Sequence, residues 1–83
     1  RYGGEEFVCL AVLKEPGDLA VVCERLRQAV AGLTVEVGER SVPVTVSIGA
    51  TCDLGECFED MLRAADQGVY RAKAEGRNRC VVV

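Results

Sequence analysis

The sequence predicts an α/β chain of the α+β sandwich kind, with helices packed over a mostly antiparallel sheet. Three observations predict it. Phe7 to Leu13 is a near-continuous apolar run of strand length, the pattern of a strand covered on both faces. Two segments carry apolar residues at three- and four-residue spacing, as helices with one buried stripe do. Between them, Val42, Val44, Val46 and Ile48 alternate with Pro43, Thr45, Ser47 and Gly49, the period of a half-buried strand.

Taken in order, the Phe7–Leu13 run is expected to be a central strand. "KEPGD" breaks it with Pro16 and Gly17, and Asp18 is placed to accept hydrogen bonds from the first free amides of a helix. The first helix carries Leu19, Val22, Cys23, Leu26, Val30 and Leu33 on its apolar stripe and ends near Gly32. Glu24, Arg25, Arg27 and Gln28 occupy its other face. "TVEV", a "GER" turn and "SVPVTVSIGAT" form a short hairpin whose second arm runs on into a longer strand, with Pro43 near its start or on an edge. From about Glu56 a second helix sets Phe58, Met61, Leu62, Ala65, Val69 and Ala72 on one stripe, and Gly76 is its natural stop. "CVVV" closes the chain as a last strand.

The 83 residues are enough for one domain, but at this size only roughly 60% of the unfolded surface is buried, so stability is expected to be marginal. A formal net charge of −3 with no basic block gives nothing that would neutralise phosphates along a nucleic acid. The apolar runs fall far short of the roughly 20 residues that span a bilayer, which predicts a soluble protein. Five cysteines, Cys9, Cys23, Cys52, Cys57 and Cys80, contain no CxxC pair, and the chain has no histidine. They read as small buried hydrophobes in a reducing, cytoplasmic compartment.

The opening "RYGGEEF" sets two glycines against two carboxylates. Glycines at Gly3 and Gly4 permit positive φ and close approach of a bulky ligand, and backbone amides in such a turn can face an anion. Glu5 and Glu6 repel each other unless a cation sits nearby, and Mg²⁺ is held by one or two carboxylates plus substrate phosphates. The pattern is compatible both with a metal-nucleotide site and with a solvated hairpin turn. Lys73 and Arg77, four residues apart, are expected on one face at the end of the second helix. There they would complement the helix dipole by roughly 0.3–1 kcal/mol, or reach phosphate oxygens, Arg77 with a planar fork and Lys73 as a point charge.

"RYGGEEF", "VTVSIGA" and "AADQGVYRAKAEGRNRCVVV", in that order through the whole chain, resemble the GGDEF domain family of diguanylate cyclases in its GGEEF form. The resemblance implies a fold related to the nucleotide-cyclase and polymerase palm, with the opening motif on a β-hairpin. It implies condensation of two GTP molecules into cyclic di-GMP with release of two pyrophosphates, in a homodimer whose half-sites meet face to face. By position, Gly3 and Gly4 would admit the nucleotide, Glu5 would ligate Mg²⁺ or Mn²⁺ and assist deprotonation of the attacking 3′-hydroxyl, and Glu6 would support the loop. Lys73 and Arg77 would contact the terminal phosphates. Arg25, in "CERLR", matches an arginine that in some members helps bind inhibitory product, although it is equally explained as a solvated residue beside Glu24.

The resemblance further implies that residues 1–83 are the C-terminal part of one GGDEF domain. A second metal-binding aspartate, the guanine-recognising residues and the main inhibitory element are then expected upstream, along with a sensory or receiver domain, and the isolated segment is expected to be inactive. Two other readings stay open: a catalytically inactive GGDEF module that binds GTP or cyclic di-GMP as a regulatory sensor, and a structural fragment completed by a partner chain.

Overall fold

A computed structural model describes residues 6–83. Its elements are α1 (Asp18–Ala31), β1 (Thr34–Val37), β2 (Arg40–Pro43), β3 (Ile48–Ala50), α2 (Phe58–Ala74) and β4 (Cys80–Val82). This is a small α+β arrangement with two helices and short sheets, as the periodicities predict.

The pairing differs from a mostly antiparallel sheet. β1 and β2 form an antiparallel hairpin, with Val35 opposite Val42, while β3 and β4 pair in parallel, with Gly49 opposite Val81. The long strand expected over 41–51 is accordingly broken, with residues 44–47 irregular between β2 and β3. The cause is that its two halves serve different partners. Pro43, paired with Thr34 at the end of β2, has no N–H with which to extend the hairpin ladder. All eight hairpin strand residues are exposed, so the alternation expected to bury one face buries none in β2.

Residues 6–13 form no strand, contrary to expectation. Phe7 and Leu10 are 73% and 74% exposed, and Val12 is fully exposed. An apolar run becomes a strand only when a neighbour takes up its amides and carbonyls, and among the described residues none pairs with this one. The entry to α1 differs too. Gly17 is the N-cap and no side chain caps it, because turn bonds from the Asp18 and Leu19 amides to the Glu15 and Pro16 carbonyls already satisfy these donors. Asp18 instead lies in the first turn, where its charge complements the dipole.

The helices meet β3 and β4, and the closest approach is between glycines. A Cβ at Gly49 in β3 would lie 2.1 Å from the Ala65 carbonyl oxygen and 2.2 Å from the Val69 nitrogen of α2. A Cβ at Gly68 in α2 would lie 2.8 Å from the Gly49 Cα. Absence of both side chains lets α2 lie directly on β3, and Ala72, one turn further along, is completely buried.

Cys23 and Ala72 are the buried hydrophobic residues among those described. The expectation of buried cysteines therefore holds for Cys23 and in part for the half-buried Cys80. Cys9, Cys52 and Cys57 are exposed, and all five are free thiols. Cys9 lacks cover because its apolar run forms no strand. No helix among the described residues is long and apolar enough to cross a membrane.

Candidate functional site

The site grows from the end of α2. Its stripe of small and apolar residues faces β3 and β4, and the helix stops where Gly76 takes φ +124°, a conformation glycine adopts without the Cβ penalty. The Arg77 amide then donates back to the Ala72 carbonyl at 2.8 Å, closing the helix end with the wide bond of a Schellman motif.

Arg77 and Asn78 follow with φ +63° and +48°. Positive φ is common for asparagine and unfavourable for arginine, and two such residues in succession persist only where their surroundings hold them. Here the surroundings are identifiable. The Asn78 amide donates to the Ser47 hydroxyl at 3.2 Å, and the Ile48 amide donates to the Arg79 carbonyl at 2.9 Å, so the loop is stitched to the start of β3. From α1, the Arg27 Nη1 donates to the Asn78 side-chain oxygen at 2.9 Å. Arg27 is itself gripped by Glu24, whose Oε1 accepts from Nε at 2.8 Å and also from Nη2. That hydrogen bond holds the Glu24 carboxyl below its usual range and raises the Arg27 guanidinium above its own. Arg79 bends back to donate from Nε to the Arg77 carbonyl at 3.1 Å.

The helix ends at Ala74, so Arg77 does not share a helical face with Lys73, as the four-residue spacing suggested. The two side chains still meet one feature. Both line a groove of about 910 Å³ whose walls include Phe7, Leu26 and Leu62. Glu6, exposed, lines the same groove. The groove thus has an apolar body with six charged residues on its lining, Glu6, Lys14, Glu15, Asp66, Lys73 and Arg77, and among the described residues neither Lys73 nor Arg77 is engaged in a salt bridge. Lys73 and Arg77, without a salt-bridge partner among the described residues and beside an apolar cavity, suit a ligand with an anionic tail and a flat apolar head.

Gly3, Gly4 and Glu5 lie outside the described residues. Among the described residues no cluster of three or more metal-ligating side chains occurs. Arg25 is exposed on α1 and does not line the groove.

Sequence reasoning missed Arg27, Asn78 and Ser47 as a unit. It assigned Arg27 to the solvated face of α1, yet its side chain is only 20% exposed. The available signal was local: "GRNR" after a helix places asparagine next to a C-terminal glycine, where positive φ is expected. The partner on α1, 51 residues away, left no mark on that pattern.

The sequence matches the diguanylate cyclase GGDEF domain family over residues 1–79. It is 46% identical to the response regulator PleD of Caulobacter vibrioides over 85 aligned residues, covering 98% of this chain and 19% of that protein. It is 41% identical to the diguanylate cyclase DgcP of Pseudomonas aeruginosa, covering 99% of this chain and 12% of the relative. With diguanylate cyclase A of Treponema denticola the identity is 34%, over 95% of this chain and 22% of the relative. The chain therefore spans about a fifth or less of the length of these curated relatives. With a match that runs through nearly every residue, from the GGEEF run to the loop that carries Arg77, the chain belongs to the GGDEF domain family of diguanylate cyclases.

Proposed function

We propose that residues 1–83 are the C-terminal part of a GGDEF domain whose complete form condenses two GTP molecules into cyclic di-GMP. The observation that carries this reading is the shared groove, whose lining holds Lys73, Arg77 and Glu6, with neither cation in a salt bridge among the described residues. Two cations can hold the terminal phosphates of a nucleotide, Arg77 through paired N–H donors and Lys73 as a point charge. Membership of the family supports the reaction class, and of the three relatives above two bear the name diguanylate cyclase and one the name response regulator.

In each half-reaction a 3′-oxygen attacks the α-phosphorus of the opposing GTP. The new P–O bond forms as the bond to the bridging oxygen of the β-phosphate breaks, the hydroxyl proton is lost to base, and pyrophosphate departs. Two such steps close the ring and release two pyrophosphates, which is why the reading includes a homodimer with one GTP on each subunit. Mg²⁺ or Mn²⁺, when bound, would stabilise charge on the phosphates, and hard carboxylate donors at Glu5 and Glu6 suit either ion. In this reading Glu5 is the metal ligand and helps deprotonate the 3′-hydroxyl, Glu6 supports the loop, and Gly3 and Gly4 give the triphosphate room. In this reading Arg25, exposed and not on the groove lining, contacts product at a separate inhibitory surface. An upstream sensory or receiver domain and a cytoplasmic location complete the reading.

The test is chromatographic detection of cyclic di-GMP made from GTP and Mg²⁺ by the full-length protein that carries these residues. Glu5→Gln should reduce product at least a hundredfold, in the range found when a transition-state charge loses its partner, with helix content unchanged. Nucleotide binding without any product in the unsubstituted protein would instead identify a regulatory GGDEF module.

A further inference from the structure

Arg77 is the groove cation whose backbone is least able to hold itself. It occupies positive φ immediately before a second residue at positive φ, and a single solvated loop would relax from this state. Its position is maintained from outside. The amide of Asn78 is held by the Ser47 hydroxyl, and the Asn78 side chain is held by Arg27 from a different helix. Arg27 is in turn oriented by two donor contacts to a single carboxylate oxygen of Glu24.

Geometry limits what this clamp can do. A guanidinium presents several donors in a rigid plane, so gripping Glu24 through Nε and Nη2 aims Nη1 in one direction, and that direction is the Asn78 oxygen. A lysine at this place would have one charged nitrogen and no such fork. Arg27 also does not line the groove, so it has no direct access to a ligand there. Its effect on a ligand must pass through Asn78 to Arg77.

We propose that Arg27 is a positioning residue for nucleotide binding: oriented by Glu24, it clamps the Asn78 side chain and so holds Arg77 toward the terminal phosphates. This rests on the reading of Lys73 and Arg77 as phosphate contacts. Arg27 and Asn78 acquire a role that neither has through contact with substrate, and Glu24 becomes part of the same relay. Loss of the clamp should leave Arg77 charged and present but distributed over several conformations, with weaker hold on the distal phosphates and no change in contacts to the base or sugar.

The experiment uses the full-length protein that carries these residues, with GTP and GMP titrated against the unsubstituted protein and against Arg27→Ala, Arg27→Lys, Asn78→Gly, Arg77→Ala and the Arg27→Ala/Arg77→Ala pair. Asn78→Gly keeps a residue that tolerates positive φ and removes only the side-chain acceptor. Expected are losses of GTP affinity of roughly five- to tenfold in Arg27→Ala, Arg27→Lys and Asn78→Gly, with GMP affinity unchanged. In the Arg77→Ala background, Arg27→Ala should cause no further loss. A GTP loss matched by an equal GMP loss would mark a general structural role and overturn the proposal. So would losses from Arg27→Ala and Arg77→Ala that multiply in the pair. If Arg77→Ala itself leaves GTP affinity unchanged, the phosphate-contact reading fails and the proposal with it, whereas an intact Arg77 effect with silent Arg27 and Asn78 variants removes the clamp alone.

Discussion

Gly68→Ala sets two physical effects against each other in a way that can be measured. In an isolated helix, replacing an interior glycine with alanine stabilises by about 1 kcal/mol, so propensity alone makes this a favourable change. Gly68, however, faces β3 and β4. An added Cβ would stand 2.8 Å from the Gly49 Cα, 2.9 Å from the Val81 carbonyl oxygen and 3.2 Å from a Val83 methyl. Two of these atoms are backbone, on two different strands, and cannot rotate away. To lengthen the closest distance from 2.8 Å to the 3.4 Å at which ordinary contact begins, α2 must recede by about 0.6 Å. A shift of that size loosens the packing that buries Ala72, and overpacking of this kind typically costs about 1–3 kcal/mol. With backbone on both sides the upper part of that range applies, leaving a net loss of about 1–2 kcal/mol after the propensity gain.

Hydrogen exchange followed by mass spectrometry on the full-length protein would read this locally, because α2 amides exchange through opening of the helix from the sheet. The expected result is exchange roughly 5–30-fold faster across α2 in Gly68→Ala. Gly49→Ala should exceed it, since its Cβ would meet α2 backbone at 2.1 and 2.2 Å. Unchanged or slower exchange in Gly68→Ala would show that propensity dominates and that the glycine contact does not set the helix position.

Asp60 accepts a hydrogen bond from the Glu56 amide at 3.0 Å, and this bond, aided by Arg63, holds its carboxyl below the usual range. A depressed carboxylate contributes stability that is present above its unfolded value of about 4 and lost as pH falls through the folded value. Helix content measured by circular dichroism should therefore fall on acidification below about pH 4, and Asp60→Asn should flatten that part of the profile. A profile identical in the two proteins would show that the Glu56 bond contributes nothing. Burial pushes the Cys23 thiol up, with neighbouring Cys52 adding to the effect, while Cys52 and Cys57 are exposed. Iodoacetamide at pH 7.5 should accordingly label Cys52 and Cys57 well before Cys23, and urea should abolish the difference; early labelling of Cys23 in the folded protein would contradict its burial.

The helices were legible because each carries its evidence within its own residues. Asp18 to Ala31 and Phe58 to Ala74 show stripes at helical spacing, and Gly76 marks the stop where the chain takes positive φ. The GGEEF run and the segment ending in Arg77 are likewise contiguous, and the family could be read from them directly. Strands were less legible, since a strand is defined by a partner as much as by its own period. Phe7 to Leu13 has strand composition and forms no strand among the described residues, whereas the uninterrupted alternation from Val42 to Ile48 hides a break between two ladders of opposite sense.

The sequence by itself determined the two helices, the turn signals and the family, because periodicity and contiguous motifs are properties of neighbouring residues. Only the tertiary structure decided which strands pair, that Gly49 and Gly68 meet, and that Lys73 and Arg77 share a groove although one lies beyond the helix. It also decided that Arg27, which looks like one more charge on a solvated face, reaches Asn78 in a loop 51 residues away. Such contacts arise when packed elements bring distant backbone together, and no local preference of either residue encodes them.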